Sequence, residues 1–417
     1  MQVFKFGGAS LKDADGIRQV GNIIQKNKDE HLIVVISAMG KITNALEQVY
    51  SYYIQNNSQK FEALQQVKIF HFNIITQLFN PNHEIFNEIN QVFTQLEISI
   101  QSSPSVNIDF EYDKIVSMGE IISSKIVFQY LQLLNLSTTW CDIRTLLITD
   151  NNYREANILL DKSSKKIVTT MNPKGIYICQ GFIGGTENGT HTTLGREGSD
   201  YTAAALAYML HADSVTIWKD VPGILNADPR IMPDAIKLDR ISYKEAIELA
   251  YYGAQIIHPK TIKPLQNKNI PLWVKPFLTP DEHGTLVQNV SEKMLLPPVY
   301  IFKYKQVLVS IMPKDFSFIA EENLSLIFKH LAECKIKVNM MEQSAISFSV
   351  CFDLDERKLR LFSNAMSEKF NVLYNTDLTL ITIRHYTDEA VKSVIQNKKI
   401  LVKELSRSTA RIIIQSS

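Results

Sequence analysis

The sequence predicts an α/β fold with a mainly parallel central sheet, followed by small α+β units at the C-terminal end. Short apolar runs separated by helical patterns are typical of strands that are buried on both faces of a parallel sheet. After residue 290 the pattern changes to a β-α-β-β run that is weakly repeated. The chain has 417 residues, of which 45% are hydrophobic and 21% charged, and this suits two or three globular domains.

The first domain is predicted to alternate strands with helices, which favours right-handed crossovers. The predicted strands are Val3 to Phe6, Leu32 to Ile36, Ile176 to Cys179 and Val215 to Trp218. The predicted helices are Gly16 to Asn27, a helix-rich stretch from Ile42 to Ser103, and Ser199 to Leu210. The turn-rich stretch Thr279 to Gly284 indicates that this domain ends near residue 290.

The C-terminal part is predicted to form two small α+β units. The first has strands at Val307 to Ile311, Lys335 to Asn339 and Ile346 to Phe352 and a helix at Asn323 to Ala332. The second has strands at Leu378 to Ile383, Ile400 to Leu405 and Ala410 to Ile414 and a helix at Asp388 to Ile395. We therefore expect domains at residues 1–290, 300–375 and 376–417.

Charge and composition exclude several classes of protein. Lys plus Arg number 44 and Asp plus Glu 43, so the net charge of +1 gives no field that favours nucleic acid or an anionic membrane. No apolar run approaches the roughly 20 residues of a membrane span, and no signal-peptide pattern precedes Val3, so we expect a cytoplasmic protein. The four scattered cysteines lack metal-ligand spacing, and we expect no metal site.

A Gly-Gly turn follows the first predicted strand directly, in the segment Lys5-Phe6-Gly7-Gly8-Ala9-Ser10. Glycines let a backbone approach a phosphate closely, and a helix that follows adds favourable partial charge. Lys5 can reach the same phosphates. Such a turn alone is a weak signal, since most Gly-Gly turns after strands bind nothing.

Two further segments carry polar residues near predicted strand or helix ends. The second strand leads into Ser37 to Asn44, where small and hydroxylated residues are placed as in ligand sites of α/β sheets, although Thr43 could equally cap a helix. Glu120 begins an apolar helix, where a carboxylate usually complements the helix dipole but in a pocket could hold an ammonium group.

The most informative segment is Leu194 to Ala204. Gly195 and Gly198 flank Arg196, whose guanidinium is suited to gripping a carboxylate with two hydrogen bonds. Asp200 starts an Ala-rich helix and could either cap that helix or orient Lys5.

Two more segments follow the strand at Val215 to Trp218. The run Trp218 to Arg230 contains two turns and could wrap a nucleotide, with Arg230 near its phosphates. In the run Tyr252 to Lys260, His258 precedes a proline and is more often a packed, hydrogen-bonded imidazole than a catalytic base.

Taken in this order, the segments resemble the aspartate kinases of the amino acid kinase family, and the C-terminal part resembles a pair of ACT domains. The resemblance implies a three-layer amino acid kinase-like fold and transfer of the γ-phosphoryl group of ATP, with Mg²⁺, to the β-carboxylate of L-aspartate. This reaction gives 4-phospho-L-aspartate and opens lysine, threonine and methionine biosynthesis. It also implies a homodimer and an amino-acid effector bound at the ACT domains.

The family pattern, carried over to this sequence, assigns the following roles. Lys5 and Asp200 are the expected catalytic residues. The expected ATP-binding residues are Lys5, Phe6, Gly7, Gly8, Lys219, Asp220, Leu225, Arg230 and Gln255. The expected aspartate-binding residues are Ser37, Thr43, Glu120, Arg196 and Ser199. The expected effector-binding residues are Val338, Asn339 and Ser344.

The sequence departs from the family pattern at several of these positions. Gln255 stands where the family usually has a Lys that contacts phosphates, and Lys260, Lys263 or Lys275 could replace that charge. Leu225 stands in place of a usual Tyr.

Two other functions compete with the main interpretation. One is a carboxylate kinase of the same superfamily that acts on glutamate or acetylglutamate; Arg196 together with Glu120 and the ACT-like end argues against it. The other is a catalytically weak, effector-binding regulatory subunit, which Gln255 alone supports.

Overall fold

A computed structural model describes residues 1–254, 257–290, 294–315 and 317–415. These residues divide into two compact units. The first contains Met1–Leu225, Lys237–Ala250 and the described residues within 255–294, and the second contains Asn226–Ile236, Tyr251–Ala254 and the described residues within 295–417.

The described strands of the first unit are β1 Gln2–Phe6, β2 Leu32–Ile36, β3 Thr138–Cys141, β4 Ile176–Gln180, β5 Ile183–Gly185, β6 His191–Thr193, β7 Ser214–Lys219, β8 Arg240–Ser242, β9 Leu272–Pro276 and β10 Thr285–Gln288. The first helices are α1 Ala14–Lys26, α2 Ile42–Ile54, α3 Gln59–Leu78, α4 Ile85–Gln101, α5 Ile108–Val116 and α6 Met118–Leu133. They are followed by α7 Ile143–Leu146, α8 Leu160–Met171, α9 Gly198–Leu210, α10 Tyr243–Tyr252 and α11 Pro259–Asn267.

Eight strands of the first unit form one sheet in the order β3-β4-β2-β1-β7-β9-β10-β8. The pairings from β3 to β9 are parallel, and β10 is antiparallel to β9. Helix α9 packs on one face of this sheet, and α1 and α6 cover the other. All residues of β2 and β4 are buried, as expected for strands covered by helices on both faces. The predicted three-layer α/β architecture is therefore confirmed.

The second unit contains β11 Val299–Pro313, α12 Glu321–Glu333, β12 Val338–Gln343, β13 Phe348–Asp353, α13 Glu356–Met366, β14 Phe370–Arg384, α14 Asp388–Ile395, β15 Ile400–Leu405 and β16 Thr409–Gln415. Its strands form one antiparallel sheet in the order β12-β13-β11-β14-β16-β15. Helices α12 and α13 contribute to one apolar core and α14 to another, so this unit has the α+β character that the sequence predicts.

The strands β11 and β14 are longer than predicted, at 15 residues each. Their pairing register shifts near Lys305 and Asp377, both of which have positive φ angles. The predicted strand from Lys335 is wrong at its start, because Lys335 adopts a left-handed conformation after α12 and β12 begins only at Val338. Within the described residues no helix is both long and apolar enough to cross a membrane.

Candidate active site

Lys5 lies on the sheet face that α9 covers, whereas its neighbours Phe4 and Phe6 pack in the core on the opposite face. The Lys5 Nζ is 2.6 Å from the Oδ1 of Asp200 in the first turn of α9, and the two side chains are only 11% and 4% exposed. Burial acts to raise the pKa of Asp200, but Lys5 and then Lys219 outweigh it and hold that pKa below its usual range. Asp200 is therefore an ionised partner of Lys5 rather than a helix cap.

The Gly7-Gly8 turn packs tightly against the segment that follows β2. A Cβ atom on Gly8 would lie 2.7 Å from the carbonyl oxygen of Gly40 and 2.9 Å from that of Ala38. The Gly40 N–H donates a hydrogen bond of 2.9 Å to the Gly8 carbonyl. Only glycine fits at position 8, and the turn therefore has no side chain between its backbone and the space beside Lys5.

Glu120 is a buried carboxyl group in the first turn of α6. Its side chain is 2% exposed, and its Oε1 accepts a hydrogen bond of 3.2 Å from the Ala38 N–H. Among the described residues its Oε2 has no partner. Burial raises the pKa of Glu120 to about 8, although the Ala38 hydrogen bond and the charge of Lys5 act in the opposite direction. At neutral pH the carboxyl group is therefore mostly protonated until a positive group approaches it.

Arg196 lies in a tight loop that leads into α9. Gly195 and Glu197 on either side of it have φ angles of +76° and +54°, and the Glu197 carboxylate accepts a hydrogen bond of 2.9 Å from the His258 N–H. The Arg196 side chain is exposed, and in the described part of the chain its guanidinium pairs with no carboxylate. The loop therefore exposes a guanidinium group that can donate two hydrogen bonds to the carboxylate of a ligand.

These groups surround one cavity of about 480 Å³ at the carboxyl ends of β1, β2 and β7. Nine of the predicted site residues line it, namely Lys5, Gly8, Ser37, Thr43, Glu120, Arg196, Ser199, Asp200 and Lys219. This placement at the strand ends agrees with the usual position of ligand sites in parallel sheets.

Other predicted residues do not line this cavity. Phe6 is fully buried and stacks on Trp218 on the other sheet face, so that only its backbone could serve the site. Gly7 lies beside the cavity and Asp220 is exposed, while Leu225 forms a bridge with Lys237. Arg230 belongs to the second unit, where it pairs with Asp228 at 2.6 Å. Gln255 lies outside the described residues.

The lining of this cavity contains none of the three lysines considered as replacements for the missing charge, Lys260, Lys263 and Lys275. Lys275 lies on the face opposite to the cavity, 5.4 Å above the ring of Trp218. Lys219 instead lines the cavity and acts electrostatically on Asp200. Lys219, at the end of β7, is therefore a third positively charged residue of this cavity, beside Lys5 and Arg196.

Sequence reasoning missed Glu47 and Tyr112, which also line the cavity. The Tyr112 hydroxyl donates a hydrogen bond of 2.6 Å to a carboxylate oxygen of Glu47. Glu47 lies one helical turn after Thr43, a spacing that could have indicated it. No sequence signal joins Tyr112 to it, since the two residues are 65 positions apart.

Asp113 does not line the cavity but forms hydrogen bonds to residues next to it. Its carboxylate is fully buried and accepts hydrogen bonds from the Thr193 hydroxyl at 2.6 Å, the Thr193 N–H at 2.9 Å and the Arg154 N–H at 3.0 Å. Burial raises the pKa of Asp113 to about 6 against the effect of these hydrogen bonds. Asp113 therefore ties α5 to β6, the strand that leads to Arg196.

The predicted effector residues lie in or beside β12. Asn339 accepts a hydrogen bond of 2.8 Å from Lys303 and donates to Gln306 at 2.8 Å, and it lines a small cavity together with Val338. Ser344 lies in the turn after β12 and is exposed.

Comparison with known proteins places this cavity in a family. A model of the amino acid kinase family matches residues 1–276, well over half of the chain. The lysine-sensitive aspartokinase 3 of Escherichia coli K12 is 33% identical over 359 residues, covering 84% of this chain and 78% of the relative. The chain belongs to the aspartokinases of the amino acid kinase family.

Two crystal structures of E. coli aspartokinase III support this membership. One contains aspartate and ADP (R-state) and the other lysine and aspartate (T-state). Each superposes on this aspartokinase with a TM-score of 0.83 at 28% identity, covering 100% of this chain and 96% of the other. A bifunctional aspartokinase/homoserine dehydrogenase of Buchnera aphidicola is 32% identical, but the chain spans only 47% of its length.

Proposed function

We propose that the protein transfers the γ-phosphoryl group of ATP to the β-carboxylate of L-aspartate, giving ADP and 4-phospho-L-aspartate. One observation carries this proposal: a single cavity contains Arg196 and Glu120, suited to the two ends of an amino acid, together with Lys5 and Lys219, suited to phosphates. The aspartate and ADP bound to E. coli aspartokinase III are the same two classes of ligand.

The α-carboxylate of aspartate binds Arg196, whose guanidinium has no partner among the described residues. The α-ammonium binds Glu120 and restores the charge that burial suppresses in that carboxyl group. Thr43, Ser37 and Ser199 supply neutral hydrogen-bonding groups around the side chain of the substrate.

The chemical step joins two anions and therefore depends on positioning and positive charge. A β-carboxylate oxygen attacks the γ-phosphorus while the bond to the β–γ bridging oxygen breaks, and no proton has to move, because the β-carboxylate is ionised at neutral pH. Lys5, held by Asp200, neutralises the transferring group, and Lys219 adds a second cation. The bare backbone at Gly8 allows the phosphates to approach closely.

The expected metal ion is Mg²⁺ carried by the ATP phosphates. Mg²⁺ usually keeps several waters and is held by substrate phosphates with one or two protein carboxylates. The buried, ionised carboxylate of Asp200 is the protein group suited to it. Bound Mg²⁺ would neutralise charge on the phosphates.

We also propose that the second unit binds an amino-acid effector near Val338, Asn339 and Ser344 and that two chains pair as a homodimer. Strand β12 lies at the edge of its sheet, where unpaired backbone groups can accept a strand from another chain. E. coli aspartokinase III is crystallised with lysine, an effector of this class. Analytical ultracentrifugation and a lysine titration of activity test the two proposals separately.

A hydroxamate assay tests the proposed reaction. We expect an acyl hydroxamate to form with MgATP and L-aspartate but not with L-glutamate or N-acetylglutamate. Product with glutamate would indicate another carboxylate kinase. No product with any of these acceptors, in a chain that still binds lysine, would indicate the regulatory subunit instead.

A further inference from the structure

The first unit contains a second cavity of about 520 Å³ on the sheet face opposite to the catalytic cavity. Successive residues of a strand point to opposite faces. Phe4 and Trp218 line this second cavity, whereas their neighbours Lys5 and Lys219 line the catalytic one. The two cavities are therefore separate and share the strands β1 and β7 as a common wall.

The wall of the second cavity combines aromatic rings with one half-buried cation. Phe4 meets Trp218 edge to face at 5.6 Å, and Trp273 lies on the neighbouring strand β9. The Lys275 Nζ lies 5.4 Å from the centre of the Trp218 ring. Burial lowers the pKa of Lys275, with nearby Asp281 acting in the opposite direction.

Lys275 lacks an ion pair in the described part of the chain. Asp281, the carboxylate of this cavity, is paired with Lys26 at 2.9 Å, and both of those side chains are largely exposed. A contact with an aromatic face compensates a half-buried ammonium only in part. A carboxylate from outside the chain would complete the charge balance at Lys275.

We infer that this cavity binds a small organic carboxylate with a flat apolar body. The carboxylate pairs with Lys275, and the body lies against the rings of Trp218 and Trp273. The cavity volume is within the range of about 300–1,000 Å³ that is usual for small-molecule sites. Two described lysines line this cavity, and Lys26 is already paired with Asp281. Only Lys275 remains to bind an anion, and one cation is too little for a polyphosphate, so a polyphosphate is excluded as the natural occupant.

Binding at this cavity acts on the catalytic cavity through the strand ends. Trp218 is followed directly by Lys219, and the N–H of Phe277, two residues after Lys275, donates a hydrogen bond of 2.7 Å to the Lys219 carbonyl. We therefore expect a ligand in contact with Trp218 and Lys275 to shift the backbone that carries Lys219. The effect on the catalytic cavity rests on the proposed function, whereas binding of the carboxylate in the second cavity does not.

Tryptophan fluorescence of the full chain without nucleotide tests the binding. Trp218 and Trp273 are two of the three tryptophans in the sequence. Phenylacetate has the required carboxylate and ring, and phenylacetamide is its neutral counterpart. We expect phenylacetate to change the emission saturably at millimolar concentration and phenylacetamide to bind at least about tenfold more weakly.

Variants locate the site. Lys275→Met should weaken phenylacetate binding about tenfold or more, and Lys275→Arg should retain it. Lys244→Met removes one charge from an exposed position outside the cavity and should bind as the parent does. Unchanged melting by circular dichroism shows that the variants fold.

Equal binding of phenylacetate and phenylacetamide, unchanged binding by Lys275→Met, or no saturable change in emission would each overturn the inference. A further measurement addresses the coupling: phenylacetate should change the KM for MgATP in the parent and not in Lys275→Met. Because the fluorescence assay needs no catalysis, a failure of the proposed reaction and a failure of this site give different results.

Discussion

At the scale of single residues, the site depends on how burial is combined with charge. Asp200 and Glu120 are both buried, yet Asp200 has the ammonium of Lys5 at 2.6 Å whereas Glu120 has only a backbone N–H. The first therefore stays ionised and the second has a pKa of about 8. Because Glu120 must lose its proton to pair with the α-ammonium group of an amino acid, the affinity for that amino acid depends on pH.

We predict that aspartate binding releases close to one proton at pH 7. The Glu120 pKa is raised from its ordinary 4.5 to about 8 without substrate and should return towards its ordinary value beside the α-ammonium. Aspartate affinity should therefore increase as the pH rises from 6 to about 8. Calorimetric titration in buffers of different ionisation enthalpy measures the release.

Two variants make this prediction specific. Glu47→Gln changes an exposed carboxylate on the wall of the same cavity and should leave the proton release intact. Glu120→Gln should abolish the release and weaken binding. A release that persists in Glu120→Gln would show that another group titrates.

Lys219 is predicted to supply phosphate-binding charge in the catalytic cavity, whose lining contains none of Lys260, Lys263 and Lys275. Lys219→Met should lower kcat/KM for MgATP by about a hundredfold to a thousandfold, the usual range for loss of one group that stabilises transition-state charge. Lys275→Met, on the opposite sheet face beside Trp218, should leave kcat/KM for MgATP unchanged. Steady-state kinetics with MgATP varied decide between them, and the reverse order of effects would contradict the assignment.

At the scale of elements, apolar content determines how well the sequence predicts structure. Strand β2, Leu32–Ile36, is predicted to the residue because it is an uninterrupted aliphatic run. Strand β3 is missed because Thr138–Cys141 is short and mixed in polarity. In β11 only the apolar part was predicted, since the register shift near Lys305 depends on pairing with distant strands.

The same distinction applies to the site. Lys5 and Arg196 could be found because glycines next to them mark ligand-binding loops. Two other contacts of the site join positions far apart in the chain: the hydrogen bond from Tyr112 to Glu47 and the hydrogen bond from Thr193 to Asp113. A single sequence does not indicate such contacts.

Asp113 should act as a positioning residue for the loop of Arg196. Three of its four hydrogen bonds come from backbone N–H groups and the fourth from the Thr193 hydroxyl. Asp113→Asn replaces one acceptor oxygen with an NH₂ group that cannot accept from a backbone N–H, which weakens the attachment of β6. We expect the KM for aspartate to rise about tenfold, corresponding to about 1.4 kcal/mol, while kcat stays within a few-fold. Steady-state kinetics with aspartate varied measure both constants.

Asp161→Asn, an exposed substitution with the same loss of charge, is the control for Asp113→Asn and should change neither constant. A fall in kcat with an unchanged KM in Asp113→Asn would assign Asp113 to the chemical step instead.

At the scale of the whole molecule, the two compact units have apolar cores of their own. All nine predicted residues that line the catalytic cavity belong to the first unit. Ligands of that cavity therefore stabilise the first unit directly, because a ligand that binds only the folded state adds to its free energy of unfolding.

We predict that differential scanning calorimetry of the full chain shows a transition that aspartate and a non-hydrolysable ATP analogue raise together. At ligand concentrations about 100-fold above Kd the gain is about 2.7 kcal/mol, or several degrees for a unit of this size. Arg196→Met should lose most of the aspartate shift and keep the nucleotide shift, since its side chain is exposed and its guanidinium has no hydrogen bond or ion pair among the described residues. Loss of both shifts in Arg196→Met would show that the guanidinium organises the whole cavity rather than one end of the amino acid.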